Sequence, residues 1–216
     1  MYHQNNHTKI GFLCYLLVYI FIINSCADNK ITNIASVGKD IICFGDSITE
    51  GIGALRGEDY PSVLSELLKR EVINAGHGGD TTSTALQRLE REVLSKDPLL
   101  VIIILGGNDA LLAVDKDTTF NNLRNMIRRI QERGAIVALG ELGPFTMYNY
   151  KKCYRQIARE EGAVLIPDIF SGIFGHSEYM SDAIHPNRQG YQRLAKKVYD
   201  VILPVLEKNR QLRSRL

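Results

Sequence analysis

The sequence is short of the features that mark most nucleic-acid, metal and nucleotide binders. Neither sign of charge prevails: 26 lysines and arginines face 24 aspartates and glutamates, for a formal net charge of +2. No arginine-rich or aromatic-interleaved stretch offers a surface for stacking bases, so nucleic acid is not an expected partner. Cysteine is scarce, with four in 216 residues, and two of these fall within the first 26. Cys43 and Cys153 are too few for a disulfide framework, and no pair has metal-ligand spacing, so no metal and no cofactor is expected. Gly51-x-Gly53-x-x-x-Gly57 misses the dinucleotide spacing, and no glycine loop carries Gly-Lys followed by Ser or Thr. There is no internal repeat and no second core.

What is present suits one globular domain: 45% of residues are apolar and 23% charged. At the N-terminus Lys9 precedes the apolar run Ile10 to Ile23, too short for a comfortable membrane span and the right length for the core of a signal peptide. The run closes on Ile23-Asn24-Ser25-Cys26, which resembles a bacterial lipoprotein cleavage box with Cys26 as the lipidated residue. Asn24 departs from the small or apolar residue usual there, and a plain signal peptide or an uncleaved anchor is the alternative. The expected division is a signal peptide over 1–25, a lipidated cysteine and linker over 26–38, a folded domain over 39–208 and a basic tail over 209–216. The expected location is the bacterial envelope, with a lipid at Cys26 tethering the domain to a membrane. No protein partner is legible.

Within the domain, short apolar runs alternate with amphipathic helices. Ile41 to Phe44 reads as a buried strand. A helix starts near Pro61 and turns Tyr60, Val63, Leu64, Leu67 and Leu68 to one face. Val72 to Asn74 is a second strand, followed by a threonine-capped helix carrying Leu86, Leu89 and Val93. Leu99 to Leu105 is apolar at every position, as in a central parallel strand covered on both faces. A helix from Asp117 to Gly134, a strand over Ala135 to Leu139, a helix through Cys153, Tyr154 and Ile157, and a strand over Val164 to Ile166 follow. The last helix carries Tyr191, Leu194, Ala195, Val198 and Ile202, and Pro204 is expected to kink or end it. This alternation predicts an α/β protein: a three-layer α/β/α sandwich around a five-stranded parallel sheet.

In such sheets ligands bind beyond the carboxyl ends of the strands, and the polar clusters of this chain fall there. Ser47 follows the first strand in Gly45-Asp46-Ser47, a sequence that is also ordinary turn chemistry. A serine hydroxyl needs a base to become a nucleophile, and that base needs an orienting partner. Of the histidines past Cys26, His77 sits in a glycine loop and His176 lacks a carboxylate on a comparable loop. His185 has Asp182 three residues before it. Gly76 is suited to bring a bare backbone N–H to a substrate, and Asn108 offers an uncharged donor, the kinds of group that stabilise an oxyanion. Asp109, with no assigned role, is the expected control for mutation at Asn108.

Gly45-Asp46-Ser47, Asn74-Ala75-Gly76, Gly106-Gly107-Asn108-Asp109 and Asp182-x-x-His185-Pro186 together resemble the four blocks of the SGNH, or GDSL, hydrolase superfamily. The longer strings Val72 to Gly76, Gly79-Asp80-Thr81-Thr82 and His185-Pro186-Asn187 are most similar to its arylesterase, thioesterase I and lysophospholipase L1 branch. The resemblance covers about Lys39 to Leu206. It implies a flavodoxin-like fold, Ser47 as nucleophile, His185 as base and Asp182 as its partner, and an oxyanion hole of the Ser47 and Gly76 amides with the Asn108 side chain. Ile48 and His77 depart from the residues usual after the serine and after the glycine. The α/β-hydrolase elbow G-x-S-x-G is absent.

The expected activity is hydrolysis of carboxylic esters, from aryl esters to lysophospholipids, and of thioesters. A carbohydrate or peptidoglycan O-acetyl esterase and a non-catalytic binding module are the alternatives. Leu111, Leu112, Pro144, Phe145 and Met147 are expected either to wall an acyl groove leading from Ser47 or simply to cover the sheet ends.

Overall fold

The computed structural model describes residues 30–143 and 148–215. Cys26 and the candidate groove residues Pro144, Phe145 and Met147 lie outside them. Five strands, β1 (Asp40–Gly45), β2 (Val72–Gly76), β3 (Pro98–Ile104), β4 (Ile136–Gly140) and β5 (Val164–Ile166), form one sheet in the order β2-β1-β3-β4-β5. Every neighbouring pair is parallel. All seven residues of β3 are buried, which is why it reads as an unbroken apolar run. Each large apolar side chain so buried contributes roughly 1.5 to 3 kcal/mol.

The helices are α1 (Ser47–Glu50), α2 (Tyr60–Leu68), α3 (Thr82–Leu89), α4 (Gly107–Leu111), α5 (Lys116–Glu132), α6 (Tyr148–Glu160) and α7 (Arg188–Arg213). A π-helical turn, Glu90–Leu94, continues α3. α2 packs on α7, while α5 packs on both α3 and α6, so the sheet is covered on both sides. After β2 the chain crosses β1 to lay down β3, and the strand order reverses at β1. The crevice at such a reversal is the usual ligand site of an open α/β sheet. Gly45 is level with Gly76 on one side and with Ile104 on the other, so the loops leaving β1, β2 and β3 start side by side.

Three expectations change. Leu67 is 37% exposed, because Tyr60 and Leu64 already fill the buried stripe of α2. Pro204 does not end α7, which continues to Arg213. Pro204 lies on the exposed face, where water can take the carbonyl left without its i+4 donor. The folded unit is also wider than 39–208: it begins at Ile31, and Ile31 and Ile34 pack against the core. Asn209, expected in a tail, is buried and donates to the carbonyls of Ile34 and Ser36, both at 2.9 Å.

Candidate active site

Ser47 is the first residue of α1, a single turn set on the end of β1. Asp46 caps this turn, its Oδ1 accepting from the Ile48 N–H at 3.0 Å, and Gly51 closes it in the left-handed region at φ +99°. The Asp46 side chain is buried. Burial pushes its carboxyl up to about 7, the Ile48 amide opposes this, the Asp80 charge adds to it, His185 opposes it and Asp109 adds to it. From its ordinary value of 3.8 up to about 7 the folded protein therefore holds a proton that the unfolded chain has lost. The folded state binds more protons, so stability falls as pH rises through this window. Asp46→Asn keeps the acceptor for Ile48 and has no proton to lose. Melting curves at steps from pH 4.5 to 8 are expected to show wild-type Tm falling relative to Asp46→Asn as pH rises. Parallel curves for the two proteins would uncouple Asp46 from folding.

The loop carrying Asp182 and His185 is pinned by an antiparallel bridge between Met180 and Pro186, with Ser181 N–H donating to the His185 carbonyl at 2.9 Å. Asn187 then caps α7, accepting from Gln189 and Gly190. Gly53, at φ +97°, lets the segment after α1 lie against this loop: a Cβ there would fall 2.6 Å from the Pro186 carbonyl oxygen and 3.1 Å from His185 Cβ. No other residue type fits the contact. The result is a hydrogen-bonded chain in which His185 Nε2 is 3.1 Å from Ser47 Oγ and Nδ1 is 2.8 Å from Asp182 Oδ2. The second Asp182 oxygen accepts the N–H groups of Ile184 and His185, each at 2.8 Å. The His185 side chain and these two amides hold the Asp182 carboxyl down at about 2. A carboxylate ionised at neutral pH can only accept, so the proton belongs on Nδ1, and Nε2 meets the serine hydroxyl as an acceptor. His77 and His176 face carboxylates of their own, Glu92 at 3.4 Å and Glu178 at 3.6 Å.

The loop after β2 requires a correction. The Gly76 N–H donates to the Asn74 side-chain oxygen at 2.9 Å and is not available to a substrate. Gly76 is needed for another reason: a Cβ would sit 2.1 Å from the Glu50 amide nitrogen, so only glycine lets β2 end against α1. Further along, the N–H of His77 goes to the Gly45 carbonyl, that of Gly78 to Glu50 Oε2 and that of Asp80 to the His77 carbonyl. Gly79 is left as the one amide from 76 to 80 without an acceptor among the described residues, and its φ of +80° is glycine territory. Asn108, in α4, points its Nδ2 at the Asp80 carbonyl at 2.8 Å, beside that amide. Ser47, as the first residue of α1, has no intrahelical acceptor for its own N–H.

A cavity of about 100 Å³ opens beside Ser47 and His185, walled by Leu111, Leu142, Phe170, Phe174 and Ile184. Leu112, one residue past Leu111 and so about 100° around the helix axis, is 67% exposed and does not line the cavity. Phe170 and Phe174 stack at 4.1 Å between ring centroids. Sequence reasoning passed over both as part of a loop, and their i, i+4 spacing just after β5 was the available signal.

A parallel α/β/α sandwich that brings a serine, a histidine and an aspartate together at its switch point defines a class, the three-layer serine-type hydrolases. The chain belongs to the GDSL-like lipase/acylhydrolase family, whose model matches residues 43–193, and it is an SGNH-family esterase/acylhydrolase. It is 29% identical over 183 residues to the esterase TesA of Pseudomonas aeruginosa, a match covering 79% of this chain and 91% of that protein. The crystal structure of TesA covers 77% of this chain and 99% of its own, at 28% identity and a TM-score of 0.71. Thioesterase 1/protease 1/lysophospholipase L1 of Escherichia coli is 25% identical over 181 residues, 80% of this chain and 87% of that protein. The lipoprotein YqeF of Bacillus subtilis is 31% identical over 105 residues, 44% of this chain and 43% of that protein.

Proposed function

We propose that the protein is a serine esterase that hydrolyses carboxylic esters of short to medium acyl chain through an acyl-enzyme on Ser47. The observation that carries this reading is the continuous hydrogen-bonded chain from Ser47 through His185 to Asp182. His185 Nε2 takes the serine proton as Oγ attacks the ester carbonyl, and Asp182 stabilises the imidazolium from the other side. The tetrahedral oxyanion is held by the N–H groups of Ser47 and Gly79 and by Asn108 Nδ2, with the Gly79 amide in place of the expected Gly76 amide. His185 then gives its proton to the departing alcohol. In the second half it draws a proton from the water that attacks the acyl carbonyl and returns that proton to Ser47 Oγ as the carboxylic acid departs. A thioester follows the same course with a thiol leaving, in keeping with the thioesterase name of the E. coli relative.

The acyl group is assigned to the cavity beside Ser47. A water needs roughly 10 to 15 Å³ of such space, so about 100 Å³ accommodates on the order of seven heavy atoms. Each buried methylene contributes about 0.8 kcal/mol. With p-nitrophenyl esters from acetate to octanoate, kcat/KM is expected to climb several-fold per added pair of carbons and to level off as the cavity fills. Acetate as the best substrate, with longer chains rejected, would move the assignment to an O-acetyl esterase.

The export and anchoring reading stands beside this one. A signal peptide ending before Cys26 and a lipid on that cysteine would leave a short tether ahead of the folded unit. The apolar run Ile10 to Ile23 and the Cys26 box support it, and among the described residues no helix is long and apolar enough to cross a membrane.

A further inference from the structure

We infer that Arg88 is a positioning residue that holds the oxyanion donors in register, a role that rests on the esterase reading above. Its side chain is only 6% exposed and does not line the cavity, so it does not touch substrate. Four donor contacts fan out from it. Nη2 donates to the Gly45 carbonyl at 2.8 Å, Nη1 to the Ala75 carbonyl at 2.9 Å and to Glu92 Oε2 at 2.5 Å, and Nε to Asp80 Oδ2 at 2.5 Å. The guanidinium also lies 4.4 Å above the Phe44 ring.

Three of the acceptors lie on segments that carry groups assigned to the oxyanion. Gly45 ends β1 two residues before Ser47. Ala75 is the next-to-last residue of β2, which runs on into the loop that carries Gly79. Asp80 follows Gly79, and its own carbonyl receives Asn108 Nδ2. One planar cation therefore ties the end of β1, the end of β2 and the far side of the glycine loop into a single frame. The three oxyanion donors come from different segments, α1, the loop after β2 and α4, and among the described residues no backbone hydrogen bond links the Gly79 amide to Ser47. Their spacing depends on such a frame.

A buried cation is costly, and an apolar side chain of similar size would fill the same space. Two carboxylates, Asp80 and Glu92, pair with Arg88 there, and Glu92 belongs to the π-helical turn that starts two residues after Arg88. Such turns are rare and concentrate at functional sites. Lysine cannot substitute, because its donors radiate from one point, whereas these acceptors need the flat fork of arginine.

The test is a double-mutant cycle of Arg88→Lys with Asn108→Ala on p-nitrophenyl butyrate, run well below the Tm of each variant. Misplacement by about 1 Å from a distant change can cost on the order of 100-fold, so Arg88→Lys is expected to lower kcat roughly 10- to 100-fold with KM within about two-fold. In the Asn108→Ala background the same change should cost only a few-fold, because the hole is already broken. Ile202→Val, a core change in α7, is the control for lost stability and should lower Tm while sparing kcat. If Arg88→Lys does not fold, Asp80→Asn decides: it removes the charge facing Nε, keeps an acceptor for Thr84, and should show the same kcat loss and coupling in weaker form. Normal kcat in the folded variant, or losses that simply multiply with that of Asn108→Ala, would overturn the role of Arg88. Wild-type protein that hydrolyses no ester of the series would sink the esterase reading, and this inference with it.

Discussion

Ser47→Ala is expected to abolish ester hydrolysis, with a fall in kcat on the order of 10⁵- to 10⁶-fold, the scale seen when a nucleophilic serine is removed from a triad. The expectation follows from the chain Ser47–His185–Asp182: with Oγ gone, the base at 3.1 Å has no proton to take and no acyl-enzyme can form. The turn itself should survive, because the hydrogen bonds that build it run between backbone groups and the Asp46 cap. Tm should therefore move little, which separates loss of chemistry from loss of fold. A fluorophosphonate probe should label the wild type and leave Ser47→Ala unlabelled. Persistence of more than about 1% of activity in the variant, after contaminating esterases are excluded, would place the nucleophile elsewhere. Failure of the wild type to label would favour the non-catalytic binding module.

The sheet was legible because its signals are local and strong. β3 is buried at all seven positions, since a parallel strand covered on both faces leaves no polar residue to blur the pattern, and β5 coincides with the apolar run Val164 to Ile166. Asp182 and His185 were legible as a pair because they share one loop, and a three-residue gap fixes them against each other before any tertiary contact forms. Their meeting with Ser47 joins residues 138 apart and depends on β1 and the loop before α7 reaching the same rim, something only the α/β alternation made expectable.

The proposed move of the oxyanion amide from Gly76 to Gly79 has a physical reason. Gly76 and Gly79 look equally permissive in the sequence, and what separates them is whether an acceptor inside the protein already holds the amide. That is a matter of tertiary hydrogen bonding with no sequence signature. The same holds for Asp109, expected to be a neutral neighbour of Asn108. It is fully buried and accepts from the Thr82 amide at 2.8 Å and from the hydroxyls of Thr82 and Thr119 at 2.5 and 3.2 Å. A mutation there would strip α3 and α5 of a shared acceptor, so Asp109 cannot serve as a control. Pro204, expected to kink or end α7, does not end it, because a proline on the solvent face of a long helix leaves a carbonyl that water can satisfy.

Asn108→Ala is expected to lower kcat by roughly 100- to 1000-fold, about 2.7 to 4 kcal/mol, with little change in KM. The primary amide has two N–H donors, and the structure commits one of them to the Asp80 carbonyl at 2.8 Å. That bond fixes the plane of the side chain and leaves the second donor for a ligand. The ground-state carbonyl carries little charge and gains little from this donor, whereas the tetrahedral oxyanion gains most, so the loss belongs in kcat. Alanine also gives up the Asp80 contact, which should lower stability by about 1 kcal/mol. Asn108→Asp should be at least as damaging, because it places an acceptor-only charge where negative charge develops. Leu112→Ala, an exposed change outside the cavity, replaces Asp109 as the control and should leave kcat near the wild-type value. Steady-state kinetics on p-nitrophenyl butyrate across the three variants reads the result. An Asn108→Ala enzyme with kcat within a few-fold of the wild type would remove Asn108 from the oxyanion hole and leave the Ser47 and Gly79 amides to do the work alone.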